Sequence, residues 1–316
     1  MIEPLPAAIR RVLDDGSLSY LAARSPHGPH LTPLVFSVHA SRLWVTTSRR
    51  SAKARLWRDD PSVGGVVRGG SRAITFTGSV RTFDLLDPET WIPSALAAPT
   101  ITLAAAAFTR RNARFFAGYA IDAPRVPLAW SPPGRVFAEV GMERAALVDE
   151  GVGGRWEARP HRIRSATSFR SSRAGRHPLE GVPRDVRDRV GEEGVATLAV
   201  DAPAGITVLP VRWRTEGGRV HAALPEEVLG LAGGGPSLCA ALAVDHASAW
   251  RARAMVGCMI RGEARVHVVD RLRSGRESAG HLVERCFVGR AGAALITLHP
   301  SRVVWWRGWT TGTVVA

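Results

Sequence analysis

The chain is 316 residues long, with 45% hydrophobic and 22% charged residues. That profile fits a folded protein with room for two ordinary cores, and it excludes a collagen-like, disulfide-scaffold or mainly disordered chain. The formal charge is +14, from 42 Lys and Arg against 28 Asp and Glu, but the arginines are scattered with no interleaved aromatic stripe, so nucleic acid is not an expected partner.

In chain order, residues 18–22, 31–38 and 43–47 are short runs that read as strands. The HAS segment between the last two is a tight hairpin connection. A helix is predicted over residues 51–58, capped within SRRS and stopped by DDP. Strands follow at 63–67 and 74–83, separated by the turn-like RGGS, and the spacing predicts a meander that curls into a barrel. Residues 87–120 read as helical, opened by DPET and broken near Pro93 and Pro99. Trp91, Ala95, Ala98, Leu103, Phe108, Phe115 and Phe116 supply the expected packing face. A late strand is expected over 132–140, and residues 149–191 read as a linker rich in Gly, Arg, Ser and Pro, with a short strand at 155–162.

The second half repeats the first. Residues 16–48 and 193–225 run in step without gaps: Leu21 falls on Leu198, Pro33 on Pro210, Phe36 on Trp213 and Arg42 on Arg219. ITFTGSVRTFD resembles MIRGEARVHVVD, and the late strand PPGRVFAEV matches HPSRVVWWR, which lays Arg135 on Arg302. A helical counterpart is expected over 271–290. The expected units are therefore residues 1–150, a linker at 151–190, and 191–316. Cys239, Cys258 and Cys286 form no CxxC pair, and this sparse, odd count fits a reducing cytoplasm. Neither a signal peptide nor a membrane span is expected.

The segment LWVTTSRRSAKARLWRDDP, residues 43–61, carries the chemistry. A strand ends, a polar basic turn follows, and a helix begins. Thr47, Ser48 and Ser51 offer hydroxyls, the helix start offers free backbone N–H groups, and Arg49 or Arg50 with Lys53, the chain's sole lysine, supplies positive charge. That combination fits a phosphate. In the second copy Ser48 becomes Pro225, Arg49 and Arg50 become Glu226 and Glu227, and Lys53 becomes Gly230. Acids there repel an anion, so one phosphate site per chain is expected, in the first copy.

GPHLTPLVF, LWVTTS, SAKARLWRDDP and FTGSV together resemble the pyridoxamine 5′-phosphate oxidase-related, FMN-binding split-barrel superfamily. The resemblance covers residues 13–84 well and residues 195–270 as a diverged copy. It implies a mainly β chain: two Greek-key split β-barrels with peripheral helices, arranged as an intrachain pseudo-dimer, monomeric or paired again as a homodimer. It implies FMN held between the barrels, with F420 or haem as alternative cofactors. Ser51 and Lys53 would touch the cofactor phosphate, with Ser48 and Arg49 beside it. Thr32, Pro33, Leu34, Val45, Thr46 and Thr47 would run beneath or beside the isoalloxazine ring. Trp305, Trp306 and Trp309 are candidates to cover the ring, Trp309 foremost because it follows a glycine. The implied activity is a flavin-dependent oxidoreductase acting on a small molecule, with an F420-dependent reductase or a non-enzymatic flavin- or haem-binding or degenerate barrel as alternatives. The phosphate turn reads Ala52-Lys53 where pyridoxamine phosphate oxidases carry Arg-Lys, and the chain ends in RVVWWRGWTTGTVVA without their substrate-gripping Arg and His, so vitamin B6 chemistry is not expected. No acid–base residue is singled out, because hydride transfer needs none. His27 and His30 sit in a Pro-Gly turn and do not read as a metal pair. His246, His281 and His299 are the histidines open to a haem reading.

Overall fold

Alternating apolar positions and short turns make this chain a β protein. The computed structural model describes residues 4–84, 86–126, 134–158, 177–202, 205–233, 237–246, 251–269 and 292–316. The helix expected at 271–290, and with it His281 and Cys286, lies outside the described residues, as do residues 159–176 of the linker.

The first copy opens with α1 (Ala7–Asp15), which the strand pattern had not announced. There follow β1 (Leu18–Ala23), β2 (His30–His39), β3 (Arg42–Ser48), α2 (Ala52–Asp59), β4 (Ser62–Gly69) and β5 (Arg72–Phe83). The broken helical region resolves into α3 (Trp91–Leu96), α4 (Ala98–Arg111) and α5 (Ala113–Asp122), after which come β6 (Arg135–Val148) and β7 (Val152–Glu157). The second copy holds α6 (Arg184–Val190), β8 (Glu193–Ala202), β9 (Gly205–Glu216), β10 (Arg219–Pro225), α7 (Glu226–Leu229), β11 (Ser237–His246), β12 (Val256–Val269), β13 (Ala293–Arg307) and β14 (Thr310–Val315). β7 pairs with β6 and so extends the first unit through Glu157, while α6 packs on strands of the second unit.

The strand order is β3-β2-β1-β4-β5-β6-β7, closed by a β3–β6 pairing; the second sheet runs β10-β9-β8-β11-β12-β13-β14, closed by β10–β13. Each is a closed six-stranded antiparallel barrel with a Greek-key step from β1 to β4, or β8 to β11, and one strand hung outside. Both barrels bend at the same place. A bulge falls at Gly78 in one and Gly262 in the other, where a Cβ would strike the carbonyl oxygen of Gly141 or His299. The shared bulge also fixes the register of the late strands. Val140 corresponds to Leu298 and Arg135 to Ala293. The sequence match that laid Arg135 on Arg302 is therefore corrected: similar Val-rich runs align equally well at either spacing, and hydrogen-bond closure decides.

Within the first barrel, Leu21, Phe36, Leu43, Val45, Ile74, Phe76 and Val140 form the interior. Their neighbours on the other strand face, Ala22, Leu31, Val66 and Ala73, join the core of the second barrel. One alternation thus supplies two cores: along each strand one face fills a barrel and the other seals the two barrels together. Backbones approach closely at this seam, where a Cβ on Gly64 would meet the Ile206 carbonyl. Arg24 grips Asp201 through Nε at 3.0 Å and Nη2 at 2.8 Å, and these two residues occupy the same position in the two copies. Equivalent positions touch only on a local two-fold axis, so Arg24 and Asp201 mark a pseudo-dyad.

α4 lies across β2 and β3. Ala104 is buried there against Trp44, which stacks on Phe137 at 5.0 Å and Phe83 at 5.8 Å, and buried Phe108 meets Phe137 edge-on at 5.7 Å. Trp91 on α3 and Leu103 on α4, expected on the packing face, are instead 56% and 60% exposed: α3 buries no residue, and α4 turns Ala104 and Phe108 to the core.

Candidate functional site

Ser51 caps α2. Its Oγ accepts from the Ala54 N–H at 3.2 Å and lies 3.1 Å from Thr47 Oγ1, which ties the helix start to the end of β3. Lys53 stands in the first turn of that helix. Arg135 begins β6 directly opposite Ser48. Its guanidinium donates to Thr46 Oγ1 and to Thr46 O, both at 3.0 Å, and is also bonded to Tyr119. Three elements from distant parts of the chain, β3, α2 and β6, therefore bring two cations to one turn.

That turn opens onto a cavity of about 410 Å³ between the barrels. The first barrel contributes His30 and residues 32–35 of β2, together with Thr46, Thr47, Arg50, Ser51, Lys53 and Arg135. α5 adds Phe115 and Tyr119. The second barrel supplies Met255, Met259, Val304, Trp306, Gly308 and Trp309. Trp309 sits edge-on to Tyr119, with ring centroids 5.3 Å apart and planes at 80°. Gly308 allows this by turning β13 into β14 at φ +57°.

The electrostatics are one-sided. Arg50, Lys53 and Arg135 line the cavity, and the described lining contains no carboxylate. Burial, and after it the neighbouring Arg135, pulls the Lys53 ammonium down to about 7. Burial, then Arg261 and Lys53, holds His30 well below its ordinary value. Clustered cations that lower one another's proton affinity are stabilised by an anion. Two further polar atoms of lining residues, Thr32 Oγ1 and Trp306 Nε1, are buried without a hydrogen-bond partner among the described residues. The site thus fits a ligand with an anionic group at the α2 turn and a flat, polar-edged body against the tryptophans.

Of the residues expected at the cofactor, Thr32, Pro33, Leu34, Thr46, Thr47, Ser51, Lys53 and Trp309 line this cavity. Three do not. Val45 points into the barrel interior and is fully buried there, as alternation between Trp44 and Thr46 requires. Ser48 is buried, and its Oγ accepts from the Arg50 N–H at 3.3 Å. Arg49 turns away and pairs with Asp84, a carboxylate at the end of β5 that captures it, so Arg50 faces the cavity instead. Trp306 reaches the cavity along with Trp309, on the strand face shared by Val304 and Gly308, whereas Trp305 packs beside Gly312.

The pseudo-equivalent cavity, about 330 Å³, has a different character. Its turn offers Gly230, Leu231 and Gly233. Glu227, the counterpart of Arg50, instead accepts from the Val152 N–H at 3.2 Å, and Ala293 replaces Arg135. Arg144 and Arg155 enter from the opposite wall beside Glu157. All three cations of the first turn are therefore lost in the second copy. Arg135 escaped the sequence reading because the displaced register gave it an arginine partner.

No protein-family profile and no curated protein matches the sequence. Among solved structures, the chain is similar to a pyridoxamine 5′-phosphate oxidase-related, FMN binding protein of Nostoc punctiforme PCC 73102 at 18% identity, over 47% of this chain and 86% of that one, with a TM-score of 0.34. A conserved hypothetical protein of Mycobacterium tuberculosis is 22% identical over 52% of this chain and 95% of that one, with a TM-score of 0.32. An F420 reductase is 18% identical over 46% of this chain and 98% of that one, with a TM-score of 0.30. Each likeness spans about one barrel of the two. By its own strand order and barrel closure, the chain is two six-stranded antiparallel barrels of the same topology within one polypeptide.

Proposed function

We propose that the chain binds one FMN between its barrels and acts as a flavin-dependent oxidoreductase on a small molecule. The observation that carries this reading is the cation set Arg50, Lys53 and Arg135 at the mouth of a ring-sized cavity, erased at the equivalent turn of the second copy. Ser51 and the first N–H groups of α2 would hold phosphate oxygens, with Lys53 and Arg135 balancing their charge. The unpartnered Thr32 hydroxyl and Trp306 indole are placed to meet polar edges of the ring. Phe115, Tyr119 and Trp309 form an aromatic wall that would exclude water. The bound flavin supplies hydride or electron transfer, so the chain's own task is to bind, orient and shield.

The test is an absorbance spectrum of the purified protein with mass analysis of released ligand, followed by titration with FMN and with F420. One flavin per chain is expected. Lys53→Ala combined with Arg135→Ala should weaken FMN binding by at least about 100-fold, from the loss of two charge-assisted contacts, while circular dichroism stays that of the folded barrel. A chain that takes up F420 and not FMN moves the reading to a deazaflavin reductase. A Soret band moves it to haem. Binding of none of these overturns it.

A further inference from the structure

His30 opens β2, opposite Ala23, just after a turn braced by the Ser25 hydroxyl, which donates to the Gly28 carbonyl at 2.5 Å. This turn is clamped by the other barrel. Arg24 holds Asp201, the Leu31 N–H points at Met259 Sδ at 3.1 Å, and Arg261 of β12 reaches across to Ser25 Oγ at 3.5 Å and to His30 Nδ1. Arg261 is 5% exposed. Its ordinary pKa is lowered only to about 10, by burial and then Arg302, so it is cationic at neutral pH. A guanidinium can only donate. His30 Nδ1 must therefore accept, which leaves the ring's one proton on Nε2. Burial, then Arg261 and Lys53, disfavour a second proton.

The internal duplication isolates this pair. The counterpart of His30 is Thr207, and the bulge at Gly78 and Gly262 makes Thr77 the counterpart of Arg261. Both threonines line the equivalent cavity that lacks the cations. The His30–Arg261 pair thus occurs with the cation turn and is absent without it.

We propose that His30 is a neutral N–H donor whose tautomer is locked by Arg261 of the second barrel, and that its Nε2–H is presented to an acceptor atom, a carbonyl oxygen or unprotonated nitrogen, on the ring of the bound flavin-type ligand. The second barrel then completes the site by fixing a proton in the first. The part of this inference that concerns the ring rests on the flavin reading above.

The experiment combines histidine-ring ¹H–¹⁵N NMR of the full chain, free of ligand, with FMN titration. Between pH 6 and 8, His30 should show a pyridine-like Nδ1 and a protonated, pyrrole-like Nε2, and Arg261→Leu should release the ring to a mixture of tautomers. On adding FMN, the Nε2–H resonance should shift. His30→Leu should weaken FMN binding about tenfold, the loss of one buried hydrogen bond, whereas His30→Gln, which keeps an N–H, should stay within about threefold of the original chain. An imidazolium ring, a proton on Nδ1, or His30→Leu binding FMN as the original does would overturn the proposal. If the original chain binds neither FMN nor F420, the flavin reading falls, and the ring acceptor with it. If it binds and His30→Leu is unaffected, only the role of His30 falls.

Discussion

The two cavities of this molecule share a scaffold and differ at the same few positions that matter for charge. Both lie where β2 or β9 and the turn after β3 or β10 meet the opposite barrel. One gathers Arg50, Lys53, Arg135 and a histidine held by an arginine. The other has Glu227, Gly230, Ala293 and two threonines at the corresponding places. Barrel closure, the bulge glycines and the seam survive in both. A fold therefore tolerates removal of all three turn cations while its hydrogen-bonded frame is kept, which separates the residues that make the barrel from those that set the charge of the cavity.

The largest effect should come from the dyad. Asp201 is 1% exposed and Arg24 is its bidentate partner. Arg24→Leu strands a buried carboxylate and should cost about 3–5 kcal/mol in denaturant unfolding; adding Asp201→Asn should recover most of that. A fully additive double variant would show that the pair does not hold the copies together. Next in size is a transplant. Glu227→Arg, Gly230→Lys and Ala293→Arg should give the second cavity an anion site and raise FMN or phosphate stoichiometry from one to two per chain. Gly230 has open space around its Cα and a right-handed helical backbone, so the lysine fits. Unchanged stoichiometry would mean that charge alone does not distinguish the cavities.

A tenfold effect follows from Lys53. Its free-state value of about 7 lies below the ordinary 10.5, and a bound anion favours the charged amine and raises it. Above pH 7, binding must then take up a proton, and affinity should fall up to about tenfold per pH unit until the bound-state value is reached. Calorimetry at pH 8 in buffers of different ionisation enthalpy reads that proton directly; Lys53→Met should abolish the uptake. The smallest effect concerns the hairpin turns. Ala40 and Ser41 sit at φ +50° and +59°, where the second copy has Gly217 and Gly218 at +56° and +75°. Ser41→Gly removes a left-handed, Cβ-bearing residue and should stabilise the chain by about 1 kcal/mol in thermal unfolding.

Much of the architecture was legible because it is written in local alternation. β1 to β5, α2 and the duplication follow from apolar spacing and turn residues. The tight HAS hairpin connection was legible from its length between two apolar runs. What local patterning does not carry is pairing between distant strands. The β3–β6 closure sets the true register of the late strand, and only that register shows Arg135 beside Lys53 with no cation at its counterpart. Arg49 and Arg50 are neighbours in sequence, and their roles are divided by Asp84, which arrives from β5. The link from Arg261 to His30 crosses two barrels and more than two hundred residues, so no motif could announce it.

The unlike charges at the dyad also govern how such chains can associate. Two first copies laid face to face would bring arginine onto arginine, and two second copies would bring aspartate onto aspartate. Exchange of halves between molecules keeps every contact of the seam, because each first copy still meets a second. Dimers made by such an exchange would keep the cavity between unlike barrels, with like-with-like assemblies disfavoured at their centre.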